Sequence, residues 1–283
     1  MSGTDFHSRR FDRAAATYGA AAEVQDAMGR TLVGLAAGAG PDAGSLFTAA
    51  DIPVGSGRGM RILEMGCGTG RFSLLLHARF PEAGLWITDA APRMLEEARR
   101  ALGGPGPGGG DALLFDASGR SPAPGALREA APFGLAASNA LVQWFPDLGR
   151  HFRAVAGLLE AGGAYLVSGF LRDNFPELNA ILAREPFGYS DFPGHTLEEV
   201  ESAARGAFAV ESLRAESLER TYADPAAFLG VIKGLGSARK PPEGRAMTRG
   251  RLEALMDAYR ASYAKEGGVR ATWKPWYALL RKV

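Results

Sequence analysis

Glu64, Gly66, Gly68 and Gly70 stand at alternate positions in the run Arg61-Ile-Leu-Glu-Met-Gly-Cys-Gly-Thr-Gly, and an acid, Asp89, follows nineteen residues after the last glycine. Glycines at this spacing let backbone amides approach a ligand with no side chain in the way. An acid at the end of the next strand can accept both hydrogen bonds of a ribose diol. The chemistry is that of a nucleoside cofactor lying across the carboxyl ends of parallel strands. The spacing also discriminates between cofactors. A dinucleotide fingerprint has its third glycine at the sixth position, so that pyrophosphate rests on a helix N-terminus; here the sixth position is Arg71. Glu64, two residues before the first glycine, would repel pyrophosphate but suits a ligand carrying an ammonium and a sulfonium. The pattern fits S-adenosylmethionine better than NAD.

Further residues sit where such a cofactor needs them. Leu113-Leu-Phe-Asp116-Ala117 reads as a short apolar strand ending in an acid, suited to the amino group and ring face of adenine. Asp116 also reads as a plain turn residue. Phe133 to Asn139 is another strand, and its end would lie beneath the cofactor; Asn139 serves equally as a strand-end residue. Cys67 lies inside the glycine turn, where only a small side chain fits, and a nucleophilic role for it has little support. His7, His77, His151 and His195 are dispersed without ligand-like spacing, so no metal site is expected.

These groups require a strand, a turn and a helix, repeated. Ile62 and Leu63 end the first strand, Arg71–Arg79 forms the following helix, and Leu85–Asp89 is the second strand. A helix is expected over 146–159 and a buried fifth strand over 162–170. Upstream, Phe11, Ala15, Tyr18, Ala22 and Gln25 recur at helical steps, followed by Met28, Leu32 and Leu35. Residues 1–59 therefore read as a helical cap and glycine-rich linker, and 60–170 as the cofactor-binding core. Residues 171–207 interleave prolines and aromatics, which predicts a lid over the acceptor rather than a core element, then a helix capped by Thr196 with Glu199 closing a capping box. Residues 208–283 complete the same domain with strands at 208–213 and 218–222, helices after Asp224 and Thr248, and a closing strand near 271–281. The run Gly103–Gly110 predicts a surface loop without helix or strand.

The whole chain of 283 residues can bury a full core, and alternating strands and helices favour one α/β domain. No stretch approaches the ~18–20 apolar residues of a membrane span, and charges interrupt the N-terminal segment. A single cysteine excludes an internal disulfide. The expectation is a soluble cytoplasmic enzyme. The net charge of +1 conceals a segregation: Val231–Val283 holds twelve Lys/Arg against four acids. A basic end on an acidic body points to an acidic macromolecule or a phosphate-bearing substrate, and it reads equally as a solvated face guarding a sheet edge.

The glycine motif with its acids resembles motif I of the class I methyltransferases. Four narrower pieces extend the likeness: Phe11-Asp-Arg-Ala-Ala-Ala-Thr-Tyr18, Ser138-Asn-Ala-Leu-Val-Gln-Trp144, Phe175-Pro-Glu-Leu178 and Phe228-Leu-x-x-Ile-Lys-x-Leu-Gly236. Together they resemble the malonyl-acyl-carrier-protein O-methyltransferases of biotin synthesis, from about residue 8 to the end. The linker 38–59 and the loop 103–110 depart from that pattern, and 237–247 does not match it closely. The resemblance implies a Rossmann-like, seven-stranded, mostly parallel sheet with helices on both faces. It also implies methyl transfer to the free carboxylate of a malonyl thioester, with an acidic carrier protein as partner for the basic residues of 231–283.

In that frame Glu64, Gly66, Cys67, Gly68 and Gly70 would hold the methionine part, Asp89 the ribose, and Asp116 with Ala117 the adenine. Tyr18 would close over the methyl group or acceptor, Gln143 and Trp144 would line the acceptor pocket, and Arg172 would read the carboxylate with its forked donors. Tyr18 and Gln143 also read as ordinary helix-face and helix-start residues. Competing functions are a methyltransferase for another small carboxylic acid and a non-catalytic S-adenosylmethionine-binding protein. A nucleic-acid methyltransferase is disfavoured, because Ser138-Asn-Ala-Leu replaces the Asn/Asp-Pro-Pro-aromatic element expected of one.

Overall fold

The computed structural model describes residues 23–36, 59–104, 106–184, 194–234 and 247–283. Five strands pair in parallel: β1 (Arg61–Met65), β2 (Gly84–Asp89), β3 (Ala112–Leu114), β4 (Phe133–Ser138) and β5 (Leu159–Phe170). β6 (Phe208–Ala215) forms the far edge, and the last strand, β10 (Pro275–Lys282), runs antiparallel between β5 and β6. The seven-stranded order is β3-β2-β1-β4-β5-β10-β6. Chain order reverses between β1 and β4, and the crevice outside the carboxyl ends at such a reversal is where α/β sheets bind ligands.

Side chains alternate across the sheet and feed two apolar clusters. Ile62, Leu166 and Tyr277 point to one face, and Leu63, Val167 and Ala278 to the other. Helices α1 (Glu23–Ala36), α2 (Arg71–Arg79) and α3 (Pro92–Leu102) cover the first face. Helices α4 (Gly125–Ala130), α5 (Leu148–Ala156) and, beyond α6 (Pro176–Leu182), α7 (Leu197–Ala204) cover the second. The capping box at α7 is present as expected: Glu199 N–H donates to Thr196 Oγ1, and Thr196 N–H donates back to Glu199.

The glycine turn is held in shape by its neighbours. Gly66, Gly68 and Gly70 have φ of 69°, 54° and 86°, in the left-handed region. At Gly70 a Cβ would also sit 2.9 Å from the Cα of Ala98 on α3, a backbone atom with little freedom to retreat. Gly70→Ala is therefore expected to cost about 1–3 kcal/mol from the left-handed conformation alone, read as a lowered midpoint in thermal unfolding. A midpoint unchanged from wild type would show that the turn tolerates a side chain.

The C-terminal third differs from the sequence expectation in three ways. The single closing strand expected near 271–281 is two strands: β9 (Gly268–Trp273) and β10, separated by Lys274. β9 joins β7 (Leu218–Tyr222) and β8 (Ala264–Lys265) in a second sheet of three strands, in the order β7-β9-β8. Apolar residues on both sides of Lys274 and Pro275 hid the change of sheet. Residues 174–182, expected to stand apart from the core, pack into it. Phe175, Leu178 and Ile181 are buried with α8 (Pro225–Gly234) and α9 (Arg249–Tyr263), and Phe175 meets Trp273 edge-on with ring centroids 4.5 Å apart. The buried Glu177 carboxylate accepts from the Thr272 N–H (3.0 Å) and hydroxyl (2.6 Å), stapling α6 to β9. Residues 185–193 of the expected lid lie outside the described residues.

The glycine run after α3 also has more structure than expected. Gly104 N–H closes onto the Arg99 carbonyl, and Pro107–Gly109 forms a turn of 3₁₀ helix. A Cβ at Gly110 would run into the Leu85 carbonyl of β2, so the missing side chains let this segment lie directly on the sheet. Low complexity here reflects close packing.

Candidate cofactor and acceptor sites

The carboxyl ends of β1, β2 and β4 bring the predicted cofactor residues together. Asp89 ends β2, and its carboxylate accepts from the Gly68 N–H (3.0 Å) and the Ala91 N–H (2.8 Å). The turn and the start of α3 thus aim this acid, while a carboxylate still has lone pairs left for two hydroxyls. Cys67 N–H donates to the Thr88 carbonyl (2.9 Å), so the turn is pinned to β2. The Cys67 side chain is buried, and burial pushes its thiol well above the ordinary range, followed by the charges of Asp89 and Glu64. That leaves it inert as a nucleophile.

Glu64 lies beneath the turn, 1 % exposed, with neither carboxylate oxygen bonded. Burial raises its pKa from 4.5 to about 8; the nearby Ser73 hydroxyl offsets part of the rise, and the Asp89 charge adds to it. Ser73 Oγ falls short of hydrogen-bond geometry and is itself buried without a partner. An orphaned acid under a glycine turn is what a cationic ligand would complement. The residues present therefore fit S-adenosylmethionine.

The segment expected to meet adenine is built differently from the expectation. β3 ends at Leu114, two residues before Asp116, which sits in a turn whose Ser118 N–H donates to Asp116 Oδ1 (2.9 Å). Asp116 is half-buried, and Ala117 is buried behind it. A hydrogen-bonded chain through the second face secures this loop. His151 Nδ1 donates to the Ala117 carbonyl (2.5 Å), Tyr165 O–H donates to His151 Nε2 (2.8 Å), and Ser138 O–H donates to Tyr165 (2.7 Å). Burial lowers the His151 pKa to about 4, so the ring is neutral and has one donor and one acceptor, which fixes these directions. The chain ties the loop at Asp116–Ser118 to the end of β4. Dispersed spacing gave no hint of it.

Asn139, just past β4, is a hub. Its Nδ2 donates to the Gln25 carbonyl of α1 (2.8 Å), and its Oδ1 accepts from Ser168 Oγ (2.7 Å). On the same side, Arg71 forms a two-pronged ion pair with Asp26 of α1, with Nε 2.6 Å from Oδ1. The cap helix is thereby latched over the turn at two points. Asp26 was not singled out from sequence, and Gln25 was named only for its place in the helical rhythm. Arg71 had drawn notice only as a residue that is not glycine and as the start of the following helix. Tyr18 lies outside the described residues.

A second and larger cleft, about 860 Å³, opens between α5, α7 and the residues following β4 and β5. Gln143 and Arg172 both line it, and Ser118, just past Asp116 and Ala117, borders it. Gln143 is 4 % exposed; its Nε2 donates to the Ala140 carbonyl (2.6 Å) and its Oε1 has no partner. Arg172 is not free to read a ligand in this arrangement. Its Nη2 lies 2.6 and 2.7 Å from the two oxygens of Glu199. His195 is brought beside Arg172, whose N–H donates to the His195 carbonyl (3.3 Å). Burial lowers the pKa of this imidazole, the Glu199 charge opposes the shift, and Nε2 has no partner. The sequence offered no base near the cleft. The structure places His195 there.

The basic end is largely neutralised where it is described. Arg249 pairs with Glu253 and Arg260 with Asp257, while Lys265, Arg270, Lys274 and Arg281 pair with Glu219, Glu177, Asp173 and Glu211. Four of these acids come from outside the basic segment, so sequence counting overstated its field. Arg239, Lys240 and Arg245 lie outside the described residues. Among the described residues no helix is long and apolar enough to cross a membrane, and no group of acids, histidines and cysteine could hold a metal ion.

Comparison with known proteins agrees with this geometry. The methyltransferase-domain family matches residues 62–163, from β1 into β5. A malonyl-[acyl-carrier protein] O-methyltransferase of Chlorobium luteolum is 29 % identical, covering 96 % of this chain and 93 % of its own length. A trans-aconitate 2-methyltransferase of Escherichia coli is 33 % identical, covering 47 % of each chain. Among solved structures, the YcgJ protein of Bacillus subtilis superposes with a TM-score of 0.54 at 16 % identity, covering 80 % of this chain and 93 % of its own, which supports the fold. The strand order, the acid-flanked glycine turn and these relatives support an S-adenosylmethionine-dependent methyltransferase with the class I fold.

Proposed function

We propose that this methyltransferase acts on the free carboxylate of a malonyl thioester carried by acyl-carrier protein, an early step of biotin synthesis in the cytoplasm. The observation that carries this reading is the likeness to a malonyl-[acyl-carrier protein] O-methyltransferase over nearly the whole of both chains. The trans-aconitate relative, also named for a methyltransferase, is matched over half of the chain or less. Masking the malonyl charge would let fatty-acid synthesis extend the unit as an ordinary acyl primer. The basic charge that would meet a strongly acidic carrier is assigned to Arg239, Lys240 and Arg245.

The bound cofactor supplies an activated methyl group on a sulfonium. The work left to the chain is to hold the cofactor and acceptor in line and to keep out water that would solvate the nucleophile. Asp89 and Glu64 orient the cofactor ends. The Gln143 amide and the Arg172 fork face the cleft from which the acceptor would enter, with Glu199 yielding Arg172 to the incoming carboxylate. A base is not required, because a carboxylic acid of pKa ~4 is already ionised at neutral pH.

Turnover with both substrates saturating is therefore expected to stay nearly flat between pH 6 and 8. His195→Asn should retain most of that turnover. A tenfold rise per pH unit through neutrality, abolished in His195→Asn, would mean that His195 removes a proton from the acceptor. The acceptor would then be a hydroxyl, phenol or amine.

A further inference from the structure

Among the described residues, the slot between α1 and the glycine turn is lined by one cationic side chain, Arg71. Gly66, Gly68 and Asn139 border the same slot, so it lies at the methionine end of the cofactor site. Its volume is about 40 Å³, and Asp26 and Arg71 both border it. The pair also has a telling form. Arg71 meets the Asp26 carboxylate through both Nε and Nη2, the fork-to-carboxylate geometry that any free carboxylate would adopt. Asp26 belongs to α1, outside the sheet and turn that build the rest of the site.

We infer that Asp26 stands in for the α-carboxylate of the cofactor, and that Arg71 exchanges one for the other when the cofactor binds. Arg71 then reads the carboxylate of the amino-acid end. Asp26 acts as an internal competitor whose release loosens the latch of α1 at that point, leaving the Asn139–Gln25 bond to hold the helix. The chemistry recognised is an α-amino-acid carboxylate on a nucleoside thioether or sulfonium. This inference concerns the cofactor end of the site and does not depend on which acceptor is methylated.

The test is calorimetric titration with two ligands: S-adenosylhomocysteine, which carries the amino-acid end, and 5′-methylthioadenosine, which keeps the nucleoside and thioether but lacks it. Arg71→Gln should weaken S-adenosylhomocysteine at least tenfold and 5′-methylthioadenosine less than twofold. Arg71→Lys, a charge without the fork, should fall between wild type and Arg71→Gln. Asp26→Asn should tighten S-adenosylhomocysteine about threefold or more and leave 5′-methylthioadenosine unchanged. Binding of 5′-methylthioadenosine reports that each variant retains a folded site. An equal loss for both ligands in Arg71→Gln would make the ion pair a prop for α1 alone and overturn the inference. So would Asp26→Asn that leaves S-adenosylhomocysteine binding unchanged or weaker.

Discussion

Asp89→Ala is expected to weaken binding of S-adenosylmethionine and of its demethylated product at least tenfold. The carboxylate is already aimed by the Gly68 and Ala91 amides, so it meets a ribose diol without reorganisation. Bonds to a charged acceptor contribute about 1.5–3 kcal/mol, which is roughly a tenfold to hundredfold change in affinity. The substitution also leaves the Gly68 amide without its acceptor, so the turn itself should loosen. Asp89→Asn keeps an acceptor oxygen and should lose less than Ala. Equal affinities for wild type and Asp89→Ala would remove this residue from the ribose site.

Glu64→Gln is expected to stabilise the free protein while weakening the cofactor. A carboxyl whose pKa is raised from 4.5 to about 8 on folding holds its proton more tightly in the folded state. Its contribution to stability is fully present below pH 4.5 and is lost as pH rises toward 8. At about 1.4 kcal/mol per unit, the loss over that window is on the order of 4–5 kcal/mol, reached only near the upper end. Gln cannot ionise, so the variant should unfold at a higher temperature than wild type at pH 8 and at nearly the same temperature at pH 4.5. The cofactor reverses the balance. Its cationic groups favour ionised Glu64, so wild-type affinity should climb between pH 6 and 8, with a proton released on binding. In Glu64→Gln that climb should vanish and affinity at pH 8 should fall. An affinity that is independent of pH in wild type would show that Glu64 does not answer the ligand's charge.

The cofactor end of the site was legible because its signal is local. Glu64 through Gly70 and Asp89 lie on consecutive elements, and glycine spacing plus two acids states both a geometry and a charge. Helix caps were legible for the same reason, as Thr196 with Glu199 shows. What escaped depends on contacts distant in sequence. The Asp26–Arg71 pair joins residues 45 positions apart, and His151, Tyr165 and Ser138 meet only because α5 packs on β4 and β5. The basic end was over-read because charge counting cannot see that Lys265, Arg270, Lys274 and Arg281 find acids elsewhere. The split of the closing segment into β9 and β10 escaped because residues buried in either sheet look alike.

The central claim is that the methyl group goes to a malonyl carboxylate on a carrier protein. Transfer of a labelled methyl group should be measured with malonyl carrier protein, malonyl-CoA, free malonate and trans-aconitate as acceptors, at low and high salt. The account predicts the highest kcat/KM for the carrier-linked acceptor, a lower value for malonyl-CoA, and little transfer to either free acid. It also predicts a base-labile methyl ester as product and a carrier preference that shrinks at high salt, because exposed charges are screened beyond about 8 Å at physiological ionic strength. Efficient methylation of a free acid with none on the malonyl thioesters would contradict it.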